Sequence, residues 1–494
     1  MRSLHGRSDR RVVIDDRPGH YLSFPDVLAL KDGLLLCVYR ETEGHHTPRR
    51  QRLLLRESPD GGRSWGEARI LHPRAAHCPR IARLDACELA VINEAGRCLH
   101  LSLDEGRTWA TQEAGGLAHD MLDRPMALDG ERVLTCGHTH RGQAAQPRIA
   151  QAPAEQMAYL SYNRGRSFQP LSVLNHDPCL VLCEASLTRL PDGRILALLR
   201  ENSGVYEPMY FVVSEDEGHT WSDPRPTPLI GHRPTVGLTA SGKLLVTYRD
   251  VGPEPGVAAW LGDLSELGEF AVHGAAGGEC AVIGDALECG AGARYALRPL
   301  TDPASARAEL ELDAEVLSGA VRVRFGGVWW RVERDGARAE ASGARRLPLE
   351  KGARRLHFWY EPGRVVLRVD GRRRERRVAM DRDARPIILD SFGEKPRWLL
   401  RGMRQRVIEP CRQRDYLLDW NPEQGPPDAW AAGRVLELWN QRGVWGGDMG
   451  YSGWCEPEPG RFFCATHVVE PGEGYRRGFS SKVVGIHFNE DDFA

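Results

Sequence analysis

The 494-residue sequence has no surplus of charge and no long apolar segment. Its 66 basic and 68 acidic side chains give a formal net charge of -2, which argues against long-range attraction to nucleic acid or to an anionic membrane. No run approaches the roughly 18 apolar residues that a membrane-spanning helix requires. We therefore expect neither a nucleic-acid partner nor a membrane partner.

Paired cysteine spacings are also missing, although the chain has twelve cysteines. Cys179 and Cys183 come closest, but no second pair and no histidine cluster accompanies them, so we expect no metal and no cofactor. Several others, such as Cys37 and Cys136, lie inside apolar runs where a reduced thiol packs as a small hydrophobe. The first residues contain no apolar signal-peptide core. These features predict a cytoplasmic protein, with secretion of a longer precursor as the alternative.

What the chain does have is repetition. One phrase of the form Ser-x-Asp-x-Gly-x-Thr-Trp, with Asn, Ser or Phe as occasional substitutes, occurs four times: Ser58–Trp65, Ser102–Trp109, Ser161–Phe168 and Ser214–Trp221. In such a phrase the Asp side chain accepts hydrogen bonds from turn N–H groups, and Gly supplies a positive φ. The phrase therefore predicts a tight hairpin whose closing aromatic ring packs between neighbouring strands.

A second repeat consists of apolar or alternating segments bent around a turn. It occurs six times: Val27–Arg40, Ile81–Asn93, Met126–His138, Ser186–Arg200, Thr235–Arg249 and Ser452–His467. Such hairpins, recurring roughly every 45 to 60 residues, are typical of radial all-β folds. Each reads as the two inner strands of one blade, and the shorter phrase marks the outer hairpin of the first four. A β-sandwich with regular turns is the alternative, but it does not explain a marked hairpin after each inner pair.

The short phrase resembles the Asp-box, or BNR repeat, of the sialidase (neuraminidase) superfamily. This resemblance implies an all-β fold, a six-bladed β-propeller. It covers roughly two thirds of the chain, because the rhythm breaks between the fifth and sixth inner hairpins for about two hundred residues, far more than an ordinary loop. A folded insertion is therefore expected there.

The insertion reads as many short strands in which charged and apolar residues alternate, for example Arg307–Asp313 and Arg355–Tyr360. The phrase His357–Gly371 looks like a strand pair of a concanavalin-like jelly roll, so we expect an inserted β-sandwich. Such modules bind sugars in some proteins and act as spacers or as contacts between copies in others. The insertion is therefore a candidate contact for a homo-oligomer. The resulting domains are a propeller over 1–265, the insertion over 266–408, and the rest of the propeller over 409–494.

Two terminal segments are predicted to complete the propeller. Asp415–Trp420 is expected to lead the chain back from the insertion. Val483–Phe493 alternates as a strand and is expected to pair with the N-terminal segment Arg11–Asp15, because a propeller removes its open edges by closing the ring.

Candidate functional residues follow from aligning the six inner hairpins, since propeller ligands bind at the axis. Arginine recurs just after the inner pair of three blades, as Arg40, Arg200 and Arg249. A guanidinium group binds a carboxylate with two parallel hydrogen bonds, so these residues are candidates to hold an acidic sugar. The ordinary explanation is that strand ends carry solvated charges.

The resemblance assigns roles to particular positions. In the sialidase family an arginine triad holds the sugar carboxylate, a Tyr is the nucleophile, a Glu activates it, and an Asp is the acid/base. Glu184 and Arg200 are similar in order and spacing to the family's Glu and second Arg, and Tyr451 resembles its Tyr. A phenol suits this chemistry because a carboxylate nucleophile would be repelled by a sugar carboxylate. Alternatively, Tyr451 only stacks on a sugar and Glu184 only pairs with Arg.

The chain also departs from the family pattern. The family's first Arg is replaced by Ser23-Phe24-Pro25, so Arg40 is the substitute candidate in the first blade. Arg249, or alternatively Arg233, is the third, and Arg124 in the third blade is a further substrate-binding candidate. The acid/base has no clear counterpart, and three residues remain candidates for it: Glu43, His46 and Asp123.

These observations favour a retaining, exo-acting glycoside hydrolase of the sialidase type. Its catalytic candidates are Tyr451, Glu184 and one of the three acid/base residues, and its partner is the terminal sugar of a glycan. The sugar is expected to be acidic, with a neutral one as a variant. A non-catalytic carbohydrate-binding or scaffolding propeller is the second hypothesis, and a polysaccharide lyase that acts on uronates is the third.

Overall fold

The computed structural model describes residues 1–46, 50–143, 152–203, 208–252, 255–268, 270–298, 306–341, 343–370, 372–377, 387–408, 415–440, 449–469 and 481–494. Within these ranges the chain is almost entirely β. One α-helix, Ala429–Ala432, is described, together with five 3-10 helices: Ser8–Arg10, Lys31–Gly33, Leu264–Glu266, Pro422–Gln424 and Glu490–Phe493. No helix in the described ranges is both long and apolar enough to cross a membrane.

Six sheets form the blades of a β-propeller, which confirms the predicted all-β, six-bladed fold. From the axis outward, blade 1 contains Tyr21–Ala29, Leu35–Thr42, Arg52–Ser58 and Arg69–His72. Blade 2 contains Arg80–Arg83, Leu89–Asn93, Cys98–Ser102 and Ala110–Glu113. Blade 3 contains Met126–Ala127, Val133–His140, Ala154–Ser161 and Gln169–Val173.

The remaining blades are built from both ends of the chain. Blade 4 contains Leu182–Arg189, Ile195–Glu201, Tyr210–Ser214 and Arg225–Pro226. Blade 5 contains Gly231–Leu238, Leu244–Asp250, Gly256–Gly262, Val435–Asn440 and Arg2–Ser3. Blade 6 contains Ser452–Glu458, Arg461–Val468, Lys482–Asn489 and Arg11–Asp15. Arg11–Asp15 pairs antiparallel with Lys482–Asn489, which confirms the predicted closure of the ring.

A seventh sheet of thirteen strands is formed by the chain between the third and fourth strands of blade 5. Its strands are His273–Gly274, Cys280–Ile283, Ala286–Cys289, Arg294–Leu297, Arg307–Phe325, Val328–Glu333, Gly336–Ala339, Leu347–Pro348, Arg354–Glu361, Arg364–Val369, Arg372–Arg377, Ile387–Ile408 and Tyr416–Trp420. Tyr416–Trp420, expected to lead back into the propeller, instead pairs with Ile387–Ile408 and extends this sheet. The side chains at the two ends of this strand, Tyr416 and Trp420, are buried in the apolar core of the sheet, and this packing holds the strand in the sheet.

The four repeated phrases form the turns between the third and fourth strands of blades 1 to 4. In blade 2, Asp104 Oδ1 accepts from Thr108 N–H at 2.8 Å, and Ser102 Oγ accepts from Gly106 N–H at 2.8 Å. Gly106 has φ +84°, so the turn requires glycine there. The closing rings pack on the preceding blade; Trp65, for example, lies 5.7 Å from Phe463 of blade 6.

The blades are joined at the axis by buried charges. Asp26 of blade 1 accepts from Arg124 Nε of blade 3 at 2.9 Å and from Ile81 N–H of blade 2 at 3.0 Å. Arg80 of blade 2 lies 3.6 Å from Asp26 Oδ1. Burial alone would raise the pKa of Asp26, but the charges of Arg124 and Arg80 hold it below its usual value. A buried carboxylate thus neutralises guanidinium groups from two other blades.

The same network reaches the remaining blades. Arg80 Nη2 donates to Thr235 Oγ1 of blade 5 at 2.8 Å and to Asp123 Oδ1 of blade 3 at 3.4 Å. Asp123 Oδ2 accepts from Leu187 N–H of blade 4 at 2.7 Å, and Arg124 donates to the Trp454 carbonyl of blade 6 at 3.1 Å. We call Asp26, Arg80, Asp123 and Arg124 the axial charge network.

We predict that Asp26→Ala destabilises the fold by about 3–5 kcal/mol, because it leaves buried guanidinium groups without their carboxylate. The free energy of unfolding in urea measures this change. The matched control is Asp192→Ala, which removes an exposed pair with Arg194 and should destabilise the fold far less. Equal effects of the two substitutions would contradict a central role for Asp26.

Candidate functional site

The first inner strands of the blades contain an irregularity that aims side chains at the axis. The strand pairing shifts between Ser23 and Asp26 in blade 1, between Cys183 and Ser186 in blade 4, and between His232 and Thr235 in blade 5. Non-glycine residues with positive φ lie in these bulges and at the equivalent place in blade 2: Phe24 at +55°, Cys78 at +41°, Glu184 at +48° and Arg233 at +49°. Bulges of this kind re-aim side chains and are common beside active sites.

Tyr451, Glu184 and Arg200 come together at the axis from blades 6 and 4. Tyr451 Oη donates to Glu184 Oε1 at 2.7 Å. Arg200 Nη1 donates both to Glu184 Oε1 at 3.0 Å and to Tyr451 Oη at 3.1 Å. Arg200 Nη2 donates to Asn202 Oδ1 at 2.7 Å, which orients the guanidinium plane. We call Tyr451, Glu184 and Arg200 the phenol–carboxylate centre.

The surroundings of this centre keep Glu184 ionised and Tyr451 protonated. Burial alone would raise the pKa of Glu184, but the charges of Arg200 and Arg233 and the Tyr451 hydrogen bond hold it far below its usual value. Burial, together with the Glu184 charge, raises the pKa of Tyr451 well above its usual value. The proton shared across the 2.7 Å contact therefore stays on the phenol in the resting protein.

Two further arginines lie beside the phenol. The Arg249 guanidinium stacks 4.1 Å from the centroid of the Tyr451 ring, and its Nε donates to the Met449 carbonyl at 2.5 Å. Arg233 is 2% exposed and donates to the Leu122 carbonyl at 3.2 Å. Arg200 and Arg233 act on the Glu184 carboxylate, and Arg249 lies against the Tyr451 ring, so the centre has a local excess of positive charge.

Three other predicted site residues, Arg40, Glu43 and His46, lie in the second strand of blade 1 and just after it. Arg40 is buried, 5.8 Å from the Phe24 ring centroid, and donates to the His45 carbonyl at 3.2 Å. Glu43 pairs with Arg50 at 3.1 Å, both partly or largely exposed. The exposed ring of His46 lies 4.4 Å from that of His45.

Asp123 and Arg124 belong to the axial charge network rather than to the phenol–carboxylate centre. Both side chains are occupied by contacts between blades. Asp123 is fully buried, paired with Arg80 and bonded to a backbone N–H of blade 4. These contacts give both side chains a structural task, the joining of blades.

Phe24 occupies the place where the family pattern has its first Arg. It is 5% exposed, and its ring lies 5.4 Å from that of Tyr451 and 5.1 Å from that of His77. His467 approaches the same ring at 5.5 Å. The wall of the site in blade 1 is therefore apolar.

Sequence reasoning missed several residues of this region, among them Asp26, Arg80, His77 and His138. One signal was available: a proline follows the positive-φ residue in blades 1, 2 and 5, as Phe24-Pro25, Cys78-Pro79 and Arg233-Pro234. In blade 3, by contrast, Arg124-Pro125 has the proline but no positive φ. The recurrence marks the bulges, although a proline does not by itself predict a left-handed residue before it.

His138, His140 and Cys183 are near enough to one another to be considered as metal ligands, since their ligand atoms lie within 4.8 Å of one another. His140 Nδ1 contacts the Ala152 carbonyl at 2.9 Å, which would suit a ligand. His138 Nδ1, however, already accepts from the Glu184 N–H at 3.2 Å, so binding through its other nitrogen would require a doubly deprotonated ring. Burial also raises the pKa of the Cys183 thiol well above its usual value. The group fits hydrogen-bonded imidazoles and a thiol better than it fits a metal.

Comparisons with known proteins identify a fold but no family. No family model and no curated protein matches the chain. A protein of unknown function from Dyadobacter fermentans is similar in structure with a TM-score of 0.51 and 11% identity, over 97% of this chain and 98% of that one. At this identity the similarity concerns the fold alone.

Glycoside hydrolases are among the other structural neighbours. A GH32 β-fructofuranosidase from Bombyx mori has a TM-score of 0.38 and 10% identity, over 79% of this chain and 93% of that one. A sialidase has a TM-score of 0.26 and 12% identity, over 80% of this chain and 52% of that one. TM-scores this low do not support an argument about the reaction, which must come from the site itself.

We predict that His138 makes the fold acid-sensitive. Burial, only partly opposed by the Glu184 charge, lowers the pKa of His138 to about 4, from a usual 6.5. Between these values the unfolded chain binds the additional proton, so the free energy of unfolding decreases as the pH falls from 6.5 to 4. Relative to His138→Asn, the wild type should lose about 3 kcal/mol over this window.

Urea unfolding at several pH values measures this difference. Asparagine is chosen because its Oδ1 can replace Nδ1 as the acceptor of the Glu184 N–H. His219→Asn, at an exposed turn position, is the control and should keep the wild-type pH dependence. Parallel curves for wild type and His138→Asn would contradict the prediction.

Proposed function

We propose that this protein is a retaining, exo-acting glycoside hydrolase of the sialidase type, with Tyr451 as nucleophile and Glu184 as its base. The observation that supports this proposal most directly is the buried 2.7 Å hydrogen bond from Tyr451 Oη to Glu184 Oε1. A phenol that donates to an ionised carboxylate can lose its proton as it attacks, which is the requirement for nucleophilic catalysis by tyrosine.

The chemistry of the first step follows from these contacts. As Tyr451 Oη bonds to the anomeric carbon, its proton passes to Glu184. Arg200 donates to both oxygens and stabilises the negative charge that develops between them. Arg249, stacked on the ring, favours electron density on the phenol in the same way. The result is a glycosyl–tyrosine intermediate, which water then hydrolyses with overall retention.

The charge of the site supports an acidic sugar as substrate. Arg200, Arg233 and Arg249 outnumber the single Glu184 carboxylate near the phenol, and guanidinium groups bind carboxylates with two parallel hydrogen bonds. A neutral phenol is also the nucleophile that an anionic sugar would not repel. Phe24 in place of an arginine leaves fewer charged contacts in blade 1, so the carboxylate would be held from blades 4 and 5.

We further propose that the thirteen-stranded sheet is the predicted concanavalin-like insertion, which then extends past the predicted limit of 408 to include Tyr416–Trp420. Support comes from its strand Arg307–Phe325, in which buried and partly exposed residues alternate over most of its length. Alternation of this kind is typical of a sheet with one buried face.

We predict that a panel of fluorogenic glycosides, with acidic and neutral sugars, contains a substrate whose turnover depends on Tyr451 and Glu184. Tyr451→Phe and Glu184→Gln should each lower kcat by about 10³-fold or more, because the nucleophile and its base act as a unit. The first product seen by NMR should have the anomeric configuration of the substrate.

The matched controls are Tyr162→Phe and Glu215→Gln, both at exposed turn positions, which should leave kcat unchanged. Turnover that survives Tyr451→Phe and Glu184→Gln would refute the proposed centre. No turnover of any glycoside would favour a binding propeller, and products with a new ultraviolet-absorbing double bond would indicate a lyase.

A further inference from the structure

A histidine–carboxylate pair, His77 and Glu94, lies in blade 2. The Phe24 ring lies between His77 and Tyr451 of the phenol–carboxylate centre. His77 precedes the first strand of this blade, and Glu94 follows the second. His77 Nδ1 contacts Glu94 Oε1, and the two form an ion pair when the ring is protonated. The Phe24 ring contacts both sides, since its centroid lies 5.1 Å from that of His77 and 5.4 Å from that of Tyr451.

The two members of the pair differ in exposure. The side chain of Glu94 is 6% exposed, whereas that of His77 is 33% exposed. Glu94 Oε2 is buried and has no hydrogen-bond partner among the described residues, so the imidazole is the group that satisfies this carboxylate. A carboxylate that holds Nδ1 sets the tautomer and leaves Nε2 as the outward-facing nitrogen.

The backbone around His77 is also held in place. His77 N–H donates to Asn93 Oδ1 at 3.2 Å, and Asn93 Nδ2 donates to the Ala75 carbonyl at 3.0 Å. The next residue, Cys78, has φ +41°, which places His77 just outside the bulge of this strand. The contact with Asn93 thus fixes the position of the His77 backbone, and the contact with Glu94 fixes the orientation of its ring.

The proposed reaction needs such a group. Cleavage with retention requires an acid that protonates the leaving oxygen and then activates water. Of the three earlier candidates, Asp123 is engaged in the axial charge network, Glu43 pairs with Arg50, and His46 is an exposed residue beside His45. His77 is partly exposed and separated from Tyr451 by one ring.

We propose that His77, oriented by Glu94, is the acid/base of this glycosidase, an inference that rests on the proposed function. In the first step the His77 imidazolium, whose Nδ1–H is held by Glu94, gives its Nε2 proton to the glycosidic oxygen as the bond from that oxygen to the anomeric carbon breaks. The aglycone leaves as an alcohol, Tyr451 holds the sugar, and Glu184 holds the phenol's proton. In the second step water bonds to the anomeric carbon and gives a proton to His77. The bond to Tyr451 breaks, and its oxygen regains the proton from Glu184.

The test compares two glycosides of one sugar, a 4-methylumbelliferyl glycoside and a methyl glycoside. Only the methyl leaving group needs full protonation. His77→Asn should lower kcat/KM on the methyl glycoside by about 10²–10⁴-fold and that on the aryl glycoside far less. Azide, a nucleophile that needs no base, should restore turnover of the aryl glycoside and yield a glycosyl azide. Glu94→Gln should show the same pattern with a smaller loss, because it acts by positioning His77.

His219→Asn is the control and should match the wild type on both glycosides. The urea midpoint of each variant is measured alongside, and His77→Gln replaces His77→Asn if the latter is unstable. Equal losses on both glycosides, or a leaving-group effect at Glu43→Gln or His46→Asn instead, would overturn the role of His77 while leaving the proposed function intact. A wild-type protein inactive on every glycoside would overturn both.

Discussion

The structure depends on one buried interaction, the carboxylate of Asp26 among the guanidinium groups of Arg124 and Arg80. A ring of six sheets brings six inner strands to one axis, where side chains from different blades must pack without water. Asp26 neutralises charge from blades 2 and 3, and Gly453 of blade 6 makes room for it, since an added Cβ would lie 1.9 Å from Asp26 Oδ1. Because breaking a buried ion pair costs far more than breaking an exposed one, this contact holds blades 1, 2 and 3 together at the axis.

The candidate site lies next to this network and uses the same strands. In blades 1, 4 and 5 the first strand carries, within a few residues, a bulge that aims one side chain toward the candidate site and a following side chain that joins the blades. In blade 4 these are Glu184, at φ +48°, and Ser186, whose Oγ accepts from Val236 N–H of blade 5 at 3.2 Å. Strain in the bulge is offset by contacts on both sides, so the chemistry and the closure of the ring depend on each other.

The electrostatics of the site follow from this arrangement. Burial works against every charge at the axis, yet Glu184 remains ionised because guanidinium groups from two blades surround it. The same burial keeps His138 neutral, because it lowers the pKa of this ring more than the Glu184 charge raises it. One environment thus keeps Glu184 charged and the neighbouring His138 neutral.

By itself the sequence determined the all-β class, the six inner hairpins and the four marked turns, because these depend on local turn chemistry and on alternation within a dozen residues. It also indicated Tyr451, Glu184 and Arg200, from a resemblance in their order along the chain. It did not separate Asp123 and Arg124, which join blades, from residues that face a ligand, because both kinds are polar and start a blade. Nor did it assign Tyr416–Trp420 to the thirteen-stranded sheet or pair His77 with Glu94. Those outcomes are decided by which strands meet across the axis, and only the closed ring brings residues hundreds of positions apart within hydrogen-bond distance.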